Sequence, residues 1–178
     1  MAQDLTQGKP FSVLLRFSLP IIGGSLFQLF YTIADSIIVG RTLGADALAA
    51  VGASASIINL VLLFVQGFTS GFGICLGQRC GANDEKGMRQ SVAVSWLLSI
   101  GFAVLITALT CGLSHPILRW MKAPADVYDD AYTYMFIILL GTGATIFYNM
   151  ISNMLRALGD SKTPLIFLVF SSLLNIVL

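Results

Sequence analysis

One carboxylate, Asp35, stands inside the apolar run Tyr31-Thr-Ile-Ala-Asp35-Ser-Ile-Ile-Val-Gly40. An acid in such a place can take up a proton or bind a cation. No basic residue nearby in the run neutralises it, and Asp is too short to snorkel to a membrane surface. A charge near mid-bilayer costs at least about 2.5 kcal/mol, so Asp35 is expected to face protein or water rather than lipid. It lies five residues before Gly40, about 7–8 Å along a helix, in the outer half of the run. At 100° per residue, Ser25, Gln28, Tyr31 and Thr32 share its face, and Leu26, Leu29 and Phe30 lie opposite. Ser56, Asn59, Gln66 and Ser70 form a second polar stripe. Tyr134, Thr142, Thr145, Asn149, Ser152, Asn153 and Arg156 form a third. Three stripes on apolar helices suggest a shared hydrated cavity. Hydrogen bonds between helices are the plainer account of any single Ser or Thr among them.

Other chemistry is poorly supplied. Cys75, Cys80 and Cys111 match no metal or redox spacing, and His115, beside Pro116, reads as a loop histidine without a second one to share a metal. No H-E-x-x-H, G-x-S-x-G or Walker A sequence occurs, and no second carboxylate falls in a span. An enzyme is therefore not expected, nor a cofactor. The sole expected ion is a proton or sodium at Asp35. Gly141-Thr-Gly143 lacks the rest of a nucleotide fingerprint. A net charge of +1 without a basic patch gives no sign of nucleic acid.

The elements that would carry these residues follow from composition. Of 178 residues, 56% are hydrophobic and 11% charged, and the mean hydropathy is +0.85. A soluble domain carries about twice that charge. The expected class is all-α integral membrane, a polytopic bundle of about five transmembrane helices near 17–39, 54–76, 91–113, 132–154 and 164–178. Residues 1–16 form a cytoplasmic segment ahead of the bundle, 17–178. The first run exceeds a signal-peptide core and holds Asp35, so it reads as a retained helix. The fifth run covers some 22 Å, short of a full crossing. It therefore reads as cut within a helix, and the chain as a fragment of a longer protein. The loop 114–131 carries the breakers Pro116 and Pro124, and Asp126, Asp129 and Asp130 as a solvated acidic cluster. Gly159 suits a helix end, and Pro164 the first turn of the next helix. Seven of the ten basic residues fall on the side of the N-terminus, which is therefore cytoplasmic. Pro20 removes one backbone hydrogen bond and could kink the first helix. Gly67-x3-Gly71 and Gly73-x3-Gly77-x3-Gly81 are spacings for close helix approach. No internal repeat is read.

A channel filter is missing, and a purely structural membrane subunit leaves Asp35 unexplained. A secondary transporter accounts for the acid, the polar stripes and the kink-capable helix together. The stretch ADSIIVGRTLGADALAAVGASASIINL resembles the first loop and its flanking helices in multidrug and toxic compound extrusion (MATE) transporters. ICLGQRCGANDEKGMRQSVAVSW, NMLRALGDSKTPL and SSLLNIVL are similar to later parts of the same lobe. The resemblance runs from about residue 10 to 178. It implies twelve helices in two lobes, of which this chain is part of the N-terminal one, without its C-terminal lobe. It implies antiport of cationic or neutral drugs against protons or sodium across the cell membrane. It also implies ion coupling at Asp35 and Asn175, bending of the first helix at Pro20, and cavity positions at Tyr134, Asn149 and Asn153. A lipid-linked precursor flippase of the same superfamily is the nearest alternative, followed by a non-transporting subunit. The few basic residues in the spans favour cationic or neutral cargo.

Overall fold

The computed structural model describes residues 10–42, 44–120 and 128–177. Asp35 and Asn175 are described by their backbone alone. Residues 1–9, Lys122, Pro124 and Asp126 lie outside the described residues. The described chain is helical: α1 (Pro10–Thr42), α2 (Gly44–Gly81), α3 (Glu85–Trp120), α4 (Tyr128–Leu140), α5 (Thr142–Ala157) and α6 (Lys162–Val177). Three helices are long and apolar enough to cross a membrane, and a fourth span is formed if α4 and α5 are taken as one broken helix. The protein is a multi-pass membrane protein.

Helices outrun the apolar windows at both ends. The windows mark the hydrocarbon-crossing part, whereas a helix continues until its terminal N–H and C=O groups find other partners. Residues 10–16, expected as a cytoplasmic segment, open α1. His115 and Pro116, expected in a loop, lie in the last turns of α3. There His115 stacks on Tyr132 of α4 at 3.9 Å between ring centroids, and the Tyr128 hydroxyl donates to the His115 carbonyl at 3.3 Å. The helix runs on through Pro116 to Trp120. The exposed Trp120 at that end suits a membrane interface.

The expected fourth helix is two. α4 and α5 meet at 42° across Gly141. A Cβ there would lie 3.3 Å from the Ile138 carbonyl oxygen. Glycines at 141 and 143 weaken the helix locally, and buried Thr142 sits between them. By contrast α1 is one helix through Pro20.

Two short connections share one construction. After α2, the N–H of Asp84 bonds the Arg79 carbonyl and that of Asn83 bonds the Cys80 carbonyl, at 3.1 and 3.0 Å. Asn83 takes the left-handed backbone, φ 53°. After α5, Asp160 N–H bonds Leu155 and Gly159 N–H bonds Arg156, at 2.8 and 3.0 Å, with Gly159 at φ 86°. Both are Schellman ends. In both, the next residue is an aspartate that caps the following helix. Asp84 Oδ1 accepts from Gly87 N–H at 2.9 Å. Asp160 Oδ1 accepts from the N–H groups of Lys162 and Thr163, and its Oδ2 from the Thr163 hydroxyl at 2.6 Å. The sequences Asn83-Asp-Glu-Lys86 and Gly159-Asp-Ser-Lys162 are thus a local repeat that the sequence reading passed over.

α2 occupies the centre, packed on α3, α4 and α5 and, along its other side, on α1; α6 packs chiefly on α1. Ile58, Val61 and Val65 of α2 meet Ala103, Met135, Leu139 and Ile146 in the main core, and Leu76 meets Met150 and Met154 in a second. Of the predicted glycine spacing, Gly73 and Gly77 are the members that touch α5. A Cβ on Gly73 would lie 2.9 Å from the Asn153 carbonyl oxygen, whereas at Gly67, Gly71 and Gly81 it would meet nothing within 4 Å.

Gly73→Ala is expected to destabilise the detergent-solubilised protein by about 1–3 kcal/mol. Gly67→Ala should be neutral or mildly stabilising. Thermal melting of the pair checks both. Asp160→Ala should cost about 1 kcal/mol through the lost cap. The Thr163 hydroxyl, then the backbone N–H of Thr163, holds the Asp160 carboxyl below its ordinary value. A depressed folded-state pKa gives stability that is present above the unfolded value and lost as pH falls through the folded one. The difference in melting temperature between wild type and Asp160→Ala is therefore expected to shrink below about pH 4.

Candidate functional site

The polar stripe of α1 is held by its own backbone. Ser25 donates to Ile21 O at 3.1 Å, Thr32 to Gln28 O at 3.0 Å and Ser36 to Thr32 O at 2.9 Å. In apolar surroundings a hydroxyl is satisfied most cheaply one turn back along its own helix. The expectation of interhelical hydroxyl bonds gives way to this arrangement on α1. Thr69, Ser70, Ser95, Thr110, Ser114 and Ser172 likewise bond backward within their own helices.

With their hydroxyls so engaged, Thr32 and Ser36 line a shallow groove with Ile33, Ile37, Gly40 and Arg41, of about 550 Å³. These residues bracket Asp35 along α1. Gln28 is exposed on the same helix. The side chains of Asp35 and Asn175 lie outside the described residues, so their predicted coupling role gains no geometry here.

On α2 the predicted stripe faces outward: Ser56, Asn59, Gln66 and Ser70 are all exposed. About 100° around the helix from Ser70, Thr69 is fully buried and faces α5. Its Oγ1 donates to Val65 O at 2.9 Å and accepts from Asn153 Nδ2 at 3.4 Å. This contact links two of the predicted polar helices side chain to side chain. Sequence reading chose Asn153 and missed Thr69, which stands beside Ser70 and three residues after Gln66.

Asn149, half-buried, donates Nδ2 to Thr145 O at 2.9 Å within α5. Tyr134 is half-buried on α4 against the main core. Arg156 closes the α5 arc with its Nε buried and without a hydrogen-bond partner. Pro20 is half-buried on α1. The structure therefore joins Asn153 to α2, keeps Asn149 within its own helix, and leaves Gln28, Asn59 and Gln66 on open faces. Among the described residues, no three His, Cys, Asp or Glu side chains converge as metal ligands would.

This arrangement offers amides and hydroxyls on the faces of three helices, suited to binding by hydrogen bonds and weak dipoles rather than by fixed charge. A family model, MatE, matches residues 20–178. A Bacillus subtilis protein described as "Probable multidrug resistance protein YpnP" is 39% identical over 177 residues, which is 99% of this chain and 40% of that protein. A solved structure described as an outward-facing conformation of a multidrug resistance MATE family transporter superposes with a TM-score of 0.89 at 30% identity. The match covers 98% of this chain and 38% of that one. A second, described as MATE in the bent conformation, gives 0.87 at 30% identity, over 96% and 38%. The chain thus spans about 40% of the length of the relative it matches.

A double-mutant cycle tests the α2–α5 contact. Asn153→Ala and Thr69→Ala are expected to couple by about 0.6 kcal/mol, the average for such bonds between membrane helices. Asn149→Ala and Thr69→Ala should be additive. Melting of the four proteins in each cycle gives the coupling directly.

Proposed function

Because the chain belongs to the MatE family, we propose that it supplies ion-coupling and cavity residues to a secondary antiporter that exports cationic or neutral drugs in exchange for protons or sodium. The observation that carries this reading is the position of Asp35, the sole acid within a predicted span, on the α1 face shared with Gln28 and Thr32. The multidrug-resistance description of the Bacillus relative supports the cargo class. So does the scarcity of Lys and Arg along the spans, since an anionic cargo would need them.

In the mechanism, Asp35 takes a proton or sodium ion from the outer side. Uptake cancels its charge, which weakens the hold on a cationic cargo and favours repacking of α1 near Pro20. Cargo leaves outward, and loss of the ion inward resets the site. The amides of Asn149, Asn153 and Asn175, with Tyr134, Gln28, Thr32, Asn59 and Gln66, contribute polar contacts along the cargo path. The N-terminus lies on the cytoplasmic side of the cell membrane in this reading, which the excess of basic residues on that side supports.

The test is a chimera in which this chain replaces the matching stretch of the Bacillus relative. Export of a cationic dye from loaded cells is expected, and Asp35→Asn should reduce it to the level of cells without the transporter. Full export by the Asp35→Asn chimera, with unchanged ion dependence, would overturn the reading. Running the assay at fixed membrane potential, with and without a sodium gradient, identifies the ion.

A further inference from the structure

A groove of about 400 Å³ runs between α2 and α3 at the end of the bundle where those helices join. Its mouth and its floor differ in chemistry. Arg79 and Gln90 line the mouth, and Phe68, Phe72, Val94 and Leu98 line the floor. On α2 the lining follows one strip, from Phe68 through Phe72 and Cys75 to Arg79. On α3 it follows Gln90, Val94 and Leu98, and exposed Lys86 stands one turn before Gln90 on that strip. Both helices thus present a basic end that grades into an apolar slot. Eleven residues separate Phe68 from Arg79, about 16 Å along the axis. One leaflet of hydrocarbon is about 15 Å deep.

The floor is rigid. Phe68 stacks on Phe102 at 3.8 Å and meets Phe72 edge-on at 5.1 Å. Gly71 borders open space in the slot, since a Cβ there would meet nothing within 4 Å. The mouth is positive. Arg79 commits Nη1 to Asp84 at 3.0 Å and is still 58% exposed. Exposed Lys86 stands one turn before Gln90, so Arg79 and Lys86 stand against the single Asp84 carboxylate at the mouth, a surplus of one positive charge.

We infer that this groove holds one anionic phospholipid, with its phosphate at Arg79, Lys86 and Gln90 and an acyl chain along Phe68, Phe72, Val94 and Leu98. Charge complementarity at the mouth and leaflet-length apolar depth below it select this occupant. The inference needs α2 and α3 to cross a bilayer and does not depend on ion-coupled export.

The experiment is native mass spectrometry of the detergent-purified chain with equal phosphatidylglycerol and phosphatidylcholine of matched acyl chains. One phosphatidylglycerol is expected to be retained in preference to phosphatidylcholine. Lys86→Gln, which leaves the Asp84 cap intact, should weaken that retention about five-fold, the effect of one basic residue near an anionic surface. Gly71→Leu should fill the slot and abolish retention of both lipids, with circular dichroism and melting confirming that the variant is folded. Equal retention of the two lipids would overturn the inference. So would indifference to both substitutions, or displacement by soluble glycerol phosphate as effective as by whole lipid. Dimers that form as lipid is excluded would assign the groove to a second copy of the chain instead.

Discussion

Hydrocarbon offers no hydrogen bonds, and the rest of this structure follows from that constraint. Each polar group within the bilayer must find its partner inside the chain. Helices satisfy the backbone, and serines and threonines turn back onto carbonyls three or four residues earlier, as Thr32, Ser36 and Thr69 do. Helix ends are the places where this supply fails. The connections after α2 and after α5 answer it in one way, a Schellman end in which the next residue is a capping aspartate. One carboxylate finishes the start of a new helix at the position where the old helix has just closed its carbonyls. That economy keeps both connections to a few residues and fixes how α3 and α6 set off.

Packing obeys a second consequence of the same solvent. Lipid tails are as apolar as leucine, so burying leucine against leucine gives little drive for helices to associate, and close fit must supply it. The bare backbone at Gly73 lets α5 approach until the Asn153 carbonyl lies where a Cβ would be. The same approach brings the Asn153 amide to Thr69. The glycine and the polar contact therefore depend on one another: a larger residue at 73 would push α5 away and lengthen a bond already at 3.4 Å. Large side chains such as Phe30, Leu60 and Leu97 remain outward, where lipid accepts them at no cost.

Much of this was legible in the residues. The apolar windows locate the spans because hydropathy measures the solvent each residue needs. They place the ends poorly, because ends are set by caps, and Asp84 and Asp160 lie outside any window. Gly159 was readable as a helix end, but the matching Asn83-Asp84 was not, since asparagine enters the left-handed region less freely than glycine. Proline drew notice at 20 and 116, yet the helix runs through both, while the break falls at Gly141. A proline costs one hydrogen bond, which membrane helices tolerate. Paired glycines remove side-chain packing on both sides of a turn. The Gly-Thr-Gly sequence lacks the rest of a nucleotide fingerprint; its physical meaning is the 42° bend between α4 and α5.

The polar faces bear on what surrounds the bundle. Gln28, Asn59 and Gln66 are amides on exposed faces of α1 and α2. A hydroxyl can fold back onto its own helix, as Ser25 and Ser70 do. An amide carries two donors and an acceptor, and one helix turn cannot satisfy all of them. Asn149 shows the limit: its Nδ2 reaches Thr145 O, which leaves a second donor and the acceptor to find partners elsewhere. Left against lipid, each open amide would cost several kcal/mol. Faces that carry three of them therefore call for water or further protein beside them, and the leucine and phenylalanine faces opposite suit lipid. Asp35 lies on α1 within that same pattern, and a carboxylate sharpens the requirement because its charge costs more to strand than any amide.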